Sequence, residues 1–278
     1  MNIPAHTPDM KTLALSLVAT AVLGNLSPLF SEDAASVINL NKPVSESLKP
    51  DGFYWSFDDG LIGESEPKMI EDHSGNGFAG QVARGSASAL PTYTEGVFGT
   101  GIFVEGFADV SWRKGTQYDN AQDPDRLTMK GQPFTGGVWY KMDNLKPVNH
   151  ILIRRDENAI GWRLQLMKAE ESDPDTDGSA WFLNLEYGDS RIRSRSQAPT
   201  STFADKKWHH VGFSVTPEDE EGRFTVEYWL DGQPFDTVTF TAKIPNPDPE
   251  KRFLSVGTGT WGSLDDAFVT TGTHTFKK

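Results

Sequence analysis

Apolar and polar residues alternate with a period of two over most of the chain between Phe134 and Val269. The clearest instance starts at Arg223. Phe224, Val226, Tyr228 and Leu230 fall on one face, and Arg223, Thr225, Glu227 and Trp229 on the other. Successive side chains of a strand point to opposite sides, so this pattern predicts a half-buried strand. Asp231-Gly232 follows, then a second alternating run to Thr241. Asp-Gly between two such runs is a hairpin signal, because the tight turn needs positive φ. The same reading predicts strands over 134–142, 151–154, 161–167, 181–187, 191–196, 208–215, 253–256 and 264–269. Upstream it predicts shorter ones near 53–57, 79–82 and 102–104. Many short strands separated by turns define an all-β chain, folded as a sandwich or barrel.

Composition narrows the possibilities. The length of 278 residues allows one large β domain or two small ones. Hydrophobic content is modest at 37%, but 8 Trp and 17 Phe allow few residues to fill a core. A net charge of −13 argues against binding nucleic acid through its phosphates, which needs clustered Lys and Arg. It suits cations or neutral ligands. The absence of cysteine excludes disulfides, thiolate metal sites, a Cys nucleophile and a lipidated Cys.

Residues 1–35 read as a signal peptide with an upstream extension. Lys11 forms a short basic region, and an apolar run from Leu13 to Leu23 follows, with small residues at Gly24 and at Ala34-Ala35. The run is short for a membrane span. The expectation is export, to the medium, the periplasm or the cell surface, with no stable membrane insertion after cleavage. Residues 36–50 read as a polar linker and 51–274 as the folded domain.

Within 51–274 a set of motifs recurs in a familiar order: Trp55-Ser56-Phe57-Asp58, Asp72-His73-Ser74-Gly75-Asn76-Gly77, Gly99-Thr100-Gly101-Ile102-Phe103-Val104-Glu105-Gly106, Phe134-Thr135-Gly136-Gly137-Val138-Trp139, Trp208-His209-His210-Val211, Tyr228-Trp229-Leu230-Asp231-Gly232 and Leu264-Asp265-Asp266-Ala267-Phe268-Val269. The succession resembles the laminin G-like, concanavalin A-like jelly-roll family. The resemblance implies two antiparallel sheets packed face to face, with a concave face that binds carbohydrate or protein. It also implies that Trp208-His209-His210 is a framework strand rather than an active site. After Val269 the chain is shorter than the family's usual close.

Three places could carry chemistry. The family's structural calcium, between the first and last strands, maps onto Asp58 or Asp59 and Asp265; hard cations need several oxygen ligands. Asp173-Pro174-Asp175-Thr176-Asp177-Gly178 matches the start of a calcium loop, but Asn184 stands where the closing bidentate Glu belongs, so a solvated acidic loop is the competing reading. Third, alternation assigns Trp139, Arg163, Asn184, Glu186, Glu227 and Trp229 to outward faces. Flat aromatics beside planar hydrogen-bonding groups suit a glycan groove, unless loops cover the tryptophans. Catalytic signatures are sparse: there is no Gly-x-Ser-x-Gly, no His-Glu-x-x-His and no strand with Glu-x-Asp-x-x-Glu. Arg191, Arg193 and Arg195 share a strand face suited to uronates or sulfates, but no Gln-x-His accompanies them. The expected function is a non-catalytic module recognising a glycan or an extracellular protein. A lyase or glycosidase on the same fold, or a purely structural envelope protein, are the alternatives.

Overall fold

The Asp231-Gly232 hairpin forms as the alternation predicts: both turn residues have positive φ, 50° and 76°. The computed structural model describes residues 36–278, apart from 66–68, 84–89, 107–108, 114–115, 118, 122, 124, 143, 170–179 and 220. The expected signal peptide over 1–35 therefore lies outside the described residues. Among the described residues no helix is long and apolar enough to cross a membrane. In chain order the strands are β1 (Ser36–Asn39), β2 (Phe53–Trp55), β3 (Gln81–Ala83), β4 (Thr92–Glu95), β5 (Thr100–Glu105), β6 (Asp109–Arg113), β7 (Phe134–Met142), β8 (Val148–Arg155), β9 (Gly161–Lys168), β10 (Ala180–Tyr187), β11 (Ser190–Arg193), β12 (Ala198–Pro199), β13 (His209–Pro217), β14 (Arg223–Leu230), β15 (Gln233–Thr241), β16 (Phe253–Val256), β17 (Trp261–Thr271) and β18 (His274–Lys277).

They form two eight-stranded antiparallel sheets and one two-stranded ribbon. The first sheet runs β15-β14-β13-β7-β17-β5-β4, with β2 beside β17. The second runs β11-β10-β9-β8-β16-β6-β3, with β12 beside β10. One face of each sheet meets the other around a core of aromatics. Phe134 lies 5.7 Å from Trp162 and 5.6 Å from Phe213, centroid to centroid. Three of the buried rings hand their polar tips to backbone carbonyls, whereas Trp112 Nε1 and Tyr140 Oη are buried without a partner among the described residues. Trp162 Nε1 donates to Leu127 O (3.0 Å), Trp55 Nε1 to Phe78 O (2.8 Å) and Tyr187 Oη to Met129 O (3.0 Å). Tyr228, on the first sheet, hydrogen-bonds Ile192 O and accepts from Leu185 N on the second, and so ties the two together. Asp72 organises the Asp-His-Ser-Gly-Asn-Gly turn by accepting from Tyr54 N, Ser74 N and Phe78 N.

The segment read as a linker is part of the fold. β1 pairs in parallel with β18, placing Ile38 opposite Phe276. A 3-10 turn, Val44–Glu46, follows β1. Ile38, Leu40 and Val44 are buried against Tyr54, Trp139, Trp229, Phe268 and Phe276. The folded region thus extends beyond 51–274 at both ends. The sparse apolar residues of 36–50 carry no helix or strand period of their own, so their partner, the outer face of the first sheet, was invisible in the local pattern.

Candidate functional site

The six expected ligand residues do not share one groove. Trp139 is on β7, and Glu227 and Trp229 are on β14, both in the first sheet; Arg163 is on β9, and Asn184 and Glu186 are on β10, in the second. The alternation correctly places each side chain away from the core, but the outer faces of two stacked sheets look in opposite directions. Strand order within sheets is a long-range property that alternation does not encode.

On the first sheet the outer face is closed. Trp139 and Trp229 are only 3% and 8% exposed. Gly137 and Gly212 are cross-strand partners, and their missing side chains leave a hollow. A Cβ at Gly212 would stand 2.5 Å from the Phe276 ring, and one at Gly137 would stand 2.8 Å from His210 Nε2. Phe276 fills this hollow, 4.9 Å from His210 and 5.8 Å from Trp229. Trp139 and Trp229 are therefore packing residues. His210 is buried with them, and burial pushes its imidazole down to about 3. His209 points the other way: Asp231 Oδ2 lies 2.7 Å from its Nδ1 and Asp205 Oδ1 lies 2.9 Å from its Nε2. Both histidines of the framework strand are structural.

Of the carboxylates read as calcium ligands, two come together. Asp265 Oδ2 accepts from Val97 N (2.7 Å) and Phe98 N (3.1 Å), while its Oδ1 is buried with no hydrogen-bond partner. Asp58 Oδ1 accepts from Thr100 N (2.8 Å) at the other end of the same turn. Burial raises Asp265 to about 8, with Asp266 and Asp58 adding repulsion. A bulge in β17 makes this crowding possible. The register shifts between Asp265 and Phe268, and Asp266 takes φ 51°, its carboxylate turned to Tyr54 Oη (2.5 Å) and Val44 N (2.9 Å). Asp59 is engaged elsewhere, with Glu71 N (2.9 Å) and His73 Nε2 (3.1 Å). Asp173, Asp175 and Asp177 lie outside the described residues.

The outer face of the second sheet is built differently. Asn184, Gln165 and His150 stand at one level across β10, β9 and β8. Asn184 Nδ2 donates to Gln165 Oε1 (2.8 Å), and Gln165 Nε2 lies 2.9 Å from His150 Nδ1. An amide NH₂ only donates, so Nδ1 accepts and the neutral ring carries its proton on Nε2. Burial, then Arg163 and Arg155, push His150 down to about 4. The next level holds Glu186, which Arg163 meets through Nη2 and Nε and Arg191 reaches at 3.2 Å. A third level runs Arg155, Phe253, Arg113 across β8, β16 and β6. Those guanidinium groups lie 5.7 and 5.0 Å from the ring centroid. Arg193 covers Phe182 at 3.9 Å. Gln165 and Asn184 are buried, yet the arginines above them keep partial or full exposure.

His150, Gln165, Arg155, Arg113 and Phe253 were not among the expected ligand residues. Gln165 was legible beside Arg163. His150 was not: β8 carries a register shift between His150 and Leu152, which puts His150 and Ile153 on one face despite their odd spacing. Arg195 leaves its row, since its backbone N–H and guanidinium bind Asp236 and Thr237 of β15.

Two face-packed antiparallel sheets with a polar outer face define a lectin-type β-sandwich. The chain belongs to the concanavalin A-like lectin/glucanase superfamily, whose sequence model matches residues 114–271. No curated protein matches the chain in sequence. Among solved structures, domain 4 of AbnA, a GH43 extracellular arabinanase from Geobacillus stearothermophilus, in complex with arabinotriose, is similar. It superposes at a TM-score of 0.53 and 15% identity, covering 81% of this chain and 93% of that one. A Trypanosoma rangeli sialidase in complex with sialic acid gives 0.45 and 15%, over 78% of this chain and 30% of that one. A putative carbohydrate binding protein from Bacteroides ovatus gives 0.33 and 15%, over 51% and 38%.

Proposed function

We propose that the chain is a secreted or cell-surface, non-catalytic carbohydrate-binding module that uses the outer face of its second sheet. The observation that carries this is the set of arginines and His150 around Phe253, with His150 held in place by the buried Asn184–Gln165 relay. Sugars are held by such planar hydrogen-bonding groups together with ring faces. That a domain of the same fold is in complex with arabinotriose supports the choice of ligand class. The signal-like pattern of residues 1–35 supports export.

Binding is favoured over hydrolysis by the spacing of the acids. Glu186 on β10 and Asp109 on β6 are separated by β9, β8 and β16. Four strand spacings amount to about 19 Å, beyond the roughly 5–10 Å a glycosidase pair needs. The competing reading is a polysaccharide lyase, favoured by a neutral His150 poised among arginines. Retention of the protein on an array of neutral and charged polysaccharides, with parallel assays for reducing ends and unsaturated sugar products, tests both. Retention without either product is expected. Product formation would overturn the non-catalytic reading, and no retention would overturn carbohydrate binding.

We further infer a structural calcium at Asp265 and Asp58. The unpartnered Asp265 Oδ1 and the second carboxylate across the Gly96–Gly99 turn fit a hard cation, which takes oxygen ligands and offsets their mutual repulsion. Asp59 turns away from it, toward Glu71 N and His73 Nε2.

A further inference from the structure

We infer that the arginine-bearing face takes an anionic glycan, one carrying uronate carboxylates or sulfate esters. This rests on the carbohydrate reading above and adds the charge class of the ligand.

The chain as a whole is strongly acidic, at −13. Its second-sheet outer face is the reverse. Among the described strand residues, Arg113, Arg155, Arg163, Arg191 and Arg193 stand there against two acids, Asp109 and Glu186. Neither acid presents charge to a ligand. Asp109 is 8% exposed and accepts from Ser255 Oγ and Thr258 Oγ1, both at 2.8 Å. Glu186 is held between Arg163 and Arg191.

Arg113 and Arg155 are placed to act outward. Among the described residues no carboxylate forms an ion pair with either, and both lie against Phe253. Their strands are two spacings apart, about 10 Å, comparable with a disaccharide unit. Guanidinium groups match carboxylate and sulfate oxygens with paired donors, and the Phe253 ring on which both rest helps to hold them in place. A neutral ligand would do nothing to offset the cost of holding Arg155 partly buried. Arg155 already feels that cost: burial, then Arg163, hold it below the usual arginine range.

The test is a titration of the full chain with an oligogalacturonate, a heparin-derived oligosaccharide and a neutral arabino-oligosaccharide, at low and raised salt. At least one charged ligand is expected to bind at least about tenfold tighter than the neutral one and to weaken as salt screens it. Arg113→Ala/Arg155→Ala is expected to lose that preference, and Arg113→Lys/Arg155→Lys to keep part of it. Arg223→Ala, on the opposite sheet, is expected to bind as wild type. Thermal melts confirm that each variant is folded. Neutral binding as tight as charged binding, insensitive to salt, would overturn this inference while leaving the carbohydrate reading intact. Charged binding that survives in the Ala double variant would overturn its placement. Single-stranded DNA competing as well as the oligosaccharides would show a generic anion surface and overturn the glycan assignment. Binding of none of the three oligosaccharides would overturn both readings.

Discussion

The two sheets of this sandwich present outer faces of opposite character. The first carries Trp139, Trp229, Phe268 and His210, the inventory usually associated with sugar stacking, and it is closed by both ends of the described chain. The second carries arginines over buried amides, with Phe182 buried and Phe253 half-buried among them, and the β1–β18 ribbon packs on the first face instead. The difference teaches that aromatic content does not identify a binding surface. Large rings also recruit cover, and here a glycine pair, Gly137 and Gly212, makes room for that cover to sit close.

The sharpest way to break this comparison is to remove one phenylalanine from each face. Phe276 is 3% exposed and fills the glycine hollow. Phe276→Ala leaves a cavity over the two glycines, and a loss of about 3–5 kcal/mol in urea unfolding is expected. Phe253 is only half-buried between Arg113 and Arg155. Phe253→Ala should cost about 1 kcal/mol or less and should show its main effect on glycan binding. Equal destabilisation by the two variants would mean that the second face is as closed as the first.

The inferred calcium sharpens the same contrast, because its ligands sit at the edge of the closed face. Asp266 receives Val44 N of the 3-10 turn that follows β1, and Asp265 receives the turn at Val97 and Phe98. A cation there would brace the cover. Calcium at a hundredfold its Kd stabilises by about 2.7 kcal/mol, so EDTA should lower the melting temperature by several degrees. Asp265→Asn should abolish that response, and Asp59→Asn should leave it unchanged. An EDTA-insensitive melt would rule out calcium as a stabiliser.

Much of the fold was legible because strand alternation is local. The runs at 134–142, 161–167, 181–187 and 223–230 appear almost unchanged as β7, β9, β10 and β14. β1 and β18 were missed because their pairing joins residues more than two hundred positions apart. The site was legible only in fragments. Arg163, Asn184 and Glu186 belong to the second face, whereas Trp139, Glu227 and Trp229 do not. The facing of His150 depends on a bulge, and the crowding of Asp265 with Asp266 on another; a bulge adds one residue to a strand without leaving a mark in composition.

The smallest expected effect concerns two adjacent residues that divide the closed face from its surroundings. His210 lies under the ribbon, and burial pushes it down to about 3. Between that value and the unfolded value of about 6.5 the unfolded chain binds a proton that the folded chain refuses, so acidification through this window destabilises. His209 has the opposite sign. Its hydrogen bond to Asp231, then that to Asp205, outweigh partial burial and raise it. A raised histidine contributes stability that is fully present below about 6.5 and is lost as pH rises through the folded value. His209→Gln should therefore cost about 1 kcal/mol near pH 6, after allowance for its partial exposure, and less near pH 9. Urea unfolding of wild type and variant at the two pH values checks this. A penalty that grows toward alkaline pH would show that His209 acts as a neutral packing group, and its environment would then be no different from that of His210.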